Sequence, residues 1–504
     1  MSDQDIHTDK YSELRSSHKC YIDIYNALYQ LKTENEGELN SIYNLIKKEL
    51  INSKKDLPQS VMEEILDIIK FNNRYTMSYL FLAKLIFDEY HLEAVTNNRL
   101  ITDILLYQEL GIKLGISIPE YLDFHTENFD IHTENTIYRT IIYNDLKRFI
   151  SLTEIEGFSE YQKLDSKLYP FIPQGLSLLE LCCYHGAVDC FKFLRTKFNS
   201  EITQKCLEFS FLGGNPEIMS ECLKHKKPDR FCMENAIISH NIDFVTFLMN
   251  EYNIKIDLTD CVIYNNLDAF LVYIDQINDI NQCFIYSWDF NIPSLLDYFI
   301  IHGANINEKD EEGNTALHIA ALYNSKETAE LLISHGANIN EKDSEESTAL
   351  HSAACNCKEV AELLISHGAN INEKEEFGNT ALHIAAQYNS KETAELLISH
   401  GININEKDKD GNTALHIAAQ YNSKETAELL ISYGAIINEK DKDGKTALHY
   451  TAKHNSKETA EVLISHDANI NEKDNNGKTA LHYANSFFNK EMAELLISHG
   501  ANID

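Results

Sequence analysis

Histidine is the residue type whose placement in this 504-residue chain most invites a chemical reading. His318, His351, His383, His416, His449 and His482 follow one another at intervals of 33, 32, 33, 33 and 33 residues. A second set, His335, His367, His400, His466 and His499, keeps the same period, with Tyr433 standing in once. Imidazoles in register could hold a metal, or could titrate near neutral pH and switch a surface. A third group, Cys182 and Cys183 beside His185, has the composition of a thiol–imidazole nucleophile.

Each group also has a structural account. A period this regular means stacked repeats. Imidazoles carried one per repeat then stand on the order of 10 Å apart, a helix diameter, whereas zinc needs its nitrogens within about 2.1 Å of one ion. No metal and no cofactor are expected. Cys182 and Cys183 fall at small, inward positions of a helix pair, and a nucleophile needs an accessible thiolate. The chain has no GxxxxGK[ST] phosphate loop, no GxSxG elbow, no HExxH metal helix and no protein-kinase signature set. A non-enzymatic protein is therefore expected.

The elements that position these residues follow from apolar spacing. Leu317, Ala320 and Ala321 fall at i, i+3 and i+4, and Ala329, Leu332 and Ile333 do the same, so each repeat offers two short helices with one apolar face each. Thr315 stands at the N-cap of the first helix and Ser325 at that of the second, where Glu327 suits the helix dipole. Gly336 ends the second helix. The polar segment from Ala337-Asn338-Ile339-Asn340 to Asp343 suits an extended finger. The one 32-residue interval reflects a shorter inter-helix turn, Cys355-Asn356-Cys357 in place of Leu322-Tyr323-Asn324-Ser325.

Gly313-Asn314-Thr315-Ala316-Leu317-His318, Ala320-Ala321 and Leu331-Leu332-Ile333-Ser334-His335-Gly336-Ala337-Asn338-Ile339-Asn340 together resemble the ankyrin repeat, and six such units follow one another. Alanine replaces the family's proline after threonine. Asn324, Asn389, Asn422 and Asn455 replace its inter-helix glycine, and asparagine tolerates the left-handed conformation needed there. The resemblance implies an all-α solenoid with hairpin-like fingers. It also implies that the first histidine set ties each helix start to neighbouring loops, and that the second faces solvent near the binding groove. A surface stripe of five histidines would make binding depend on pH; the simpler account is a tolerated residue copied with its repeat.

A weaker periodicity runs upstream. Ser177 to Cys183 aligns with Thr315 to Ala321, cysteines replacing the alanines, and inter-helix turns fall near Gly186, Gly214, His240, Asn265 and Asn291. Their spacing of 25 to 28 residues leaves room for a helix pair but not a finger. Thr136 to Leu152 reads as one more pair, and Trp288 as a core plug in a distorted unit. Helical periodicity over Tyr21–Leu31, Leu39–Ile51, Val61–Ile69 and Tyr75–Phe87 gives a helical head. The expected organisation is a helical N-terminal region over 1–135, degenerate ankyrin-like pairs over 136–302 and six ankyrin repeats over 303–504. The arrangement is similar to long ankyrin proteins of some protists in which a helical region of unknown function precedes the array.

In the ankyrin family, variable residues at finger tips and first-helix ends line a concave groove that contacts a protein. Here those positions hold Glu311, Glu312, Phe377, Lys409, Lys442 and Asn475 at the tips. Along the helices they hold Tyr323, Tyr388, Tyr421, His454 and Phe487, with His335 and His400 nearby. Aromatic side chains bury large areas at little entropic cost, so this row is the candidate contact surface; the alternative is again simple duplication. Phe487 and Phe488 stand near the end of the last repeat. A partner covers that face, the protein self-associates there, or the last helices stand half-exposed, which is the reading preferred.

The formal charge of −34 is spread along the chain: residues 301–504 hold 17 Lys against 33 Asp and Glu, and residues 1–300 hold 27 Lys and Arg against 45. Both parts repel a phosphate backbone, so no nucleic-acid partner is expected. No apolar run approaches a bilayer span, and the first residues carry no secretory signal pattern. Eight of eleven cysteines crowd between Cys182 and Cys283 without paired CxxC spacing, which suits free thiols in a reducing, cytoplasmic or nuclear compartment. The leading expectation is an acidic interaction or scaffold protein binding a basic or mixed-charge protein. The alternatives are a regulator or enzyme subunit whose head carries the activity, and an elastic spacer.

Overall fold

The computed structural model describes residues 12–52, 57–92, 133–170, 174–276, 279–355 and 357–502. The chain's first residues, Pro119, Pro173 and Asn356 lie outside them. Short amphipathic helices are unstable alone, and the longest described here has 15 residues, so each persists by burying its apolar face on a neighbour. They gather into two compact units, residues 1–279 and 280–504.

After a helical stretch over residues 12–17, the first unit carries helices α1 (Lys19–Tyr29), α2 (Glu36–Ile46), α3 (Pro58–Ile68) and α4 (Thr76–Tyr90). Pro58 sits at the first helical position, where a missing N–H costs nothing. Ile24, Leu28, Ile46, Leu50, Met62, Ile65, Leu82 and Ile86 are buried among these helices. Helix pairs follow: α5 (Ile137–Ile142) with α6 (Leu146–Thr153), α7 (Leu178–His185) with α8 (Val188–Lys197), and α9 (Gln204–Gly213) with α10 (Pro216–Leu223). Two more complete the unit, α11 (Arg230–Ile238) with α12 (Ile242–Tyr252), and α13 (Leu258–Ile263) with α14 (Leu267–Gln276). A two-residue antiparallel bridge, β1 (Lys163–Leu164) on β2 (Leu176–Ser177), leads into α7. The inter-helix turns carry left-handed residues: Asn144, Gly186, Gly214, His240 and Asn265 have φ of 52°, 65°, 69°, 50° and 51°. First helices of successive pairs stack side by side. A Cβ on Gly213 would stand 2.1 Å from the carbonyl oxygen of Cys183, so only glycine allows α9 to approach α7 this closely.

The second unit repeats the plan with pairs α15 (Ile280–Ser287) and α16 (Pro293–Ile301), α17 (Ala316–Leu322) and α18 (Lys326–Ser334), and α19 (Ala349–Ala353) and α20 (Lys358–Ser366). Then come α21 (Ala381–Gln387) and α22 (Lys391–Ser399), and α23 (Ala414–Tyr421) and α24 (Lys424–Ser432). The last pairs are α25 (Ala447–His454) with α26 (Lys457–Ser465), and α27 (Ala480–Ser486) with α28 (Lys490–Ser498). Ala320, Ala321, Ala329 and Leu332 are buried, and the small residues let neighbouring helices approach. Trp288 plugs the first pair, 7% exposed and edge-on to Phe284.

Fingers join the pairs. Each tip is closed on itself, as by Asp310 N–H to Asn314 O at 3.0 Å, and hydrogen-bonded to the tip before it, as by Lys409 N–H to Phe377 O at 2.9 Å. Behind the tips a lysine–glutamate ladder runs from repeat to repeat: Lys309–Glu341 at 2.8 Å, Lys342–Glu373 and Lys374–Glu406 at 2.7 Å, Lys407–Glu439 at 2.6 Å and Lys440–Glu472 at 2.7 Å.

One expected cap is corrected. Ser325 occupies the N-cap of α18 but makes no capping bond, and its hydroxyl donates instead to Asn291 Oδ1 at 3.2 Å. The chain enters this helix straight from the left-handed turn, with Ser325 at ψ 78°, which turns its side chain toward the preceding repeat. In later repeats the cap comes from that neighbour: Asn389 Oδ1 accepts the N–H of Thr426, and Asn422 Oδ1 that of Thr459, both at 3.1 Å. Among the described residues, no helix is long and apolar enough to cross a membrane.

Candidate functional site

The first histidine set is wired into the fold. In each of its repeats the N-cap threonine donates its backbone N–H to the Nδ1 of the histidine three residues on, at 3.0–3.2 Å. An acceptor at Nδ1 puts the ring's proton on Nε2. From there His318 donates to Ser347 O at 3.1 Å, His351 to Asn379 O at 3.3 Å, His383 to Asn412 O at 3.2 Å and His449 to Lys478 O at 3.1 Å. His416 reaches both Glu439 O and Lys445 O. Every carbonyl belongs to the following finger. No group of three potential metal ligands comes together among the described residues.

The second set caps helix ends. Its Nδ1–H donates to the carbonyl four residues back: His335 to Leu331 at 3.0 Å, and His367 to Leu363, His400 to Leu396, His466 to Val462 and His499 to Leu495 at 2.9 Å. Tyr433 lacks such a donor. His302 makes the same bond to Tyr298 O at 2.7 Å and belongs to the ladder, as its His302-Gly303-Ala304-Asn305 run, identical to His335-Gly336-Ala337-Asn338, already shows in sequence. His335 also faces Asp297 across 3.4 Å.

Cys182, Cys183 and His185 are not brought together as a nucleophile. Both thiols are fully buried, and burial pushes them well above their ordinary range. His185 Nε2 is 2.8 Å from the hydroxyl of Tyr169.

The aromatic row is an exposed feature. Tyr323, Tyr388 and Tyr421 each stand immediately before a left-handed asparagine and are 68%, 56% and 50% exposed; Phe487 is 50% exposed. His454 continues the row, exposed, with its pKa lowered by partial burial and by Lys453. Cys355 first, then burial and Tyr421, raise the phenol of Tyr388 above its ordinary range. Phe377 projects from its fingertip, 62% exposed. Two further exposed apolar residues break the repeat pattern. Ile436 replaces the asparagine seen at Asn338 and Asn370, and Phe488, 87% exposed, takes the left-handed position with φ 60°. Departure from the repeat is the signal by which sequence finds them.

In the first unit the same register is filled differently. Glu180 replaces the motif histidine: its carboxylate accepts the N–H of Ser177 at 2.8 Å and the hydroxyl of Thr203, in the next pair, at 2.7 Å. A carboxylate can only accept, so the next repeat presents a hydroxyl instead of a carbonyl.

Residues 284–375, 368–441 and 436–504 match the family model for ankyrin repeats (3 copies), and residues 198–273 match that of a domain of unknown function (DUF3447). No curated protein matches the chain.

Proposed function

Since this chain is an ankyrin-repeat protein with a DUF3447 domain ahead of its repeats, and ankyrin repeats are protein–protein interaction modules, we propose that it is a non-enzymatic interaction protein. It binds its partner through the concave face that carries Tyr323, Tyr388, Tyr421 and Phe487. The observation that carries this reading is the exposure of four large aromatics in one repeating register of the array. Exposed aromatics cost solvation unless a partner covers them, and Tyr and Trp dominate the energetics of interfaces.

The partner has a basic or mixed-charge surface. The excess of 33 acidic over 17 basic residues in residues 301–504 speeds encounter with such a surface and weakens with salt. The eleven cysteines, all free thiols, support a reducing compartment such as the cytoplasm. The test is site-specific photo-crosslinking from position 387 or 420, each beside a tyrosine of the row, on the full chain in cells. One dominant adduct, lost when Tyr388 and Tyr421 are replaced by alanine, is expected. Adducts indifferent to both tyrosines would reject the surface.

A further inference from the structure

Three tyrosines from three different helix pairs of the first unit converge on one short stretch of its N-terminal helices. The guanidinium of Arg74 lies over the ring of Tyr143, 5.1 Å from its centroid. The hydroxyl of Tyr184 donates to Lys70 O at 2.8 Å. Phe71 meets the ring of Tyr264 edge-on, centroids 5.4 Å apart at 89°.

Tyr143 and Tyr264 immediately precede the left-handed residues Asn144 and Asn265. That is the register Tyr323, Tyr388 and Tyr421 hold before Asn324, Asn389 and Asn422 in the second unit. In the first unit two tyrosines of this register, Tyr143 and Tyr264, are thus contacted by side chains from outside their own helix pairs, whereas those of the second unit stand open. The docked stretch supplies a guanidinium to one tyrosine, whose ring Arg139 of its own helix also approaches at 5.0 Å, and an aromatic edge to another, from residues three apart in sequence. Both contacts are selective for the tyrosine π-system. Residues 301–504 contain no arginine and are strongly acidic, so a guanidinium on the open row comes from outside the array and is drawn there by charge.

We propose that the row of Tyr323, Tyr388 and Tyr421 takes a partner segment carrying an arginine and an aromatic residue within one turn of each other, as Phe71 and Arg74 do in the first unit. This rests on the reading of the row as the partner surface.

The experiment selects a displayed library of random peptides on the immobilised full-length chain, with parallel selection on a Tyr388→Ala/Tyr421→Ala variant whose thermal midpoint confirms an intact array. The expected result is peptides that bind only the wild-type chain and share an arginine and an aromatic at close spacing. In synthetic copies, Arg→Ala then weakens binding roughly tenfold, and Arg→Lys restores only part of it. Tyrosine-dependent peptides without that pairing would overturn the proposed chemistry and leave the row as a binding surface. Peptides that bind both chains equally, or no binders at all, would overturn both.

Discussion

The imidazole of His318 accepts the backbone N–H of Thr315 at Nδ1 and donates from Nε2 to the carbonyl of Ser347, each at 3.1 Å. A ring held this way is neutral: a proton on Nδ1 would face an N–H that is already there. The same device recurs along the array, so its stability is linked to pH.

Burial lowers the pKa of His318, His351, His383, His416 and His449 below the ordinary 6.5. With folded values below the unfolded one, their contribution is complete above pH 6.5 and is lost as pH falls from there through the folded values. Urea unfolding of the full chain between about pH 7.5 and 5 should show the array's midpoint falling with acidity. His383→Gln, neutral throughout, should be less stable near neutrality by about 1–3 kcal/mol, with a shallower pH dependence. Equal slopes for the two proteins would refute the linkage.

Asn389 and Asn422 each do two things. They adopt φ of 54° and 58° at the inter-helix turn, and their amides hold the next repeat, each capping a helix and donating to Glu425 or Glu458 at 2.6 Å. Backbone preference alone predicts that glycine would improve these turns. The bonds predict the reverse: Asn422→Gly should destabilise the array by about 1 kcal/mol, the usual worth of a cap. Denaturation of the paired Asn422→Gly and Asn455→Gly variants checks it. A gain in stability at position 422 would show that the inter-repeat bonds contribute little.

Phe488 and Glu346 lie at φ 60° and 61°, a region unfavourable for residues of these types. Other repeats have asparagine and glycine there, as at Asn422 and Gly411. Phe488→Asn and Glu346→Gly should each stabilise the chain by about 1 kcal/mol. A shift of the thermal midpoint upward is the expected readout. If Phe488→Asn stabilises the chain but weakens partner binding, the strain is retained for contact.

How far the sequence speaks depends on how far apart the interacting residues lie. The period, the Leu317–Ala320–Ala321 face and the Thr315–His318 start are local, and near-identical copies make them plain. The row of Tyr323, Tyr388 and Tyr421 is visible for the same reason. Ser325 misleads because the cap of a helix is supplied from the previous repeat, 37 residues away in the case of Asn389 and Thr426. Glu180 weakens the upstream signature without hiding the repeat, because it accepts the N-cap N–H as His318 does but reverses the sense of the bond to the next repeat. The docking of the N-terminal helices is less legible still: the hydroxyl of Tyr21 donates to Asn265 Oδ1 across 244 residues, and no periodicity announces such a contact.

That docking yields a last prediction. His240 stacks on Tyr29, centroids 4.3 Å apart at 18°, and its nitrogens lie 3.0 Å from Asn26 Oδ1 and 2.8 Å from Tyr264 O. Beside it, Gln30 donates to the carbonyl of His240 at 2.7 Å. One buried ring thus joins α1 to the turns after α11 and α13. Burial lowers its pKa to about 4 from 6.5, so its stabilisation is whole above pH 6.5 and fades on acidification through 4, a change on the order of 3 kcal/mol. Hydrogen exchange on the full chain reads the effect locally. His240→Ala should speed exchange in α1 and in the turn around Asn265, while the core of α3 and α4, which has its own buried Met62, Ile65 and Leu82, keeps its protection. If protection falls equally through α1 to α4, the head has no separable latch and unfolds with the repeats it covers. If α1 is undisturbed, the stacking carries no docking energy and the aliphatic core alone holds the helices in place.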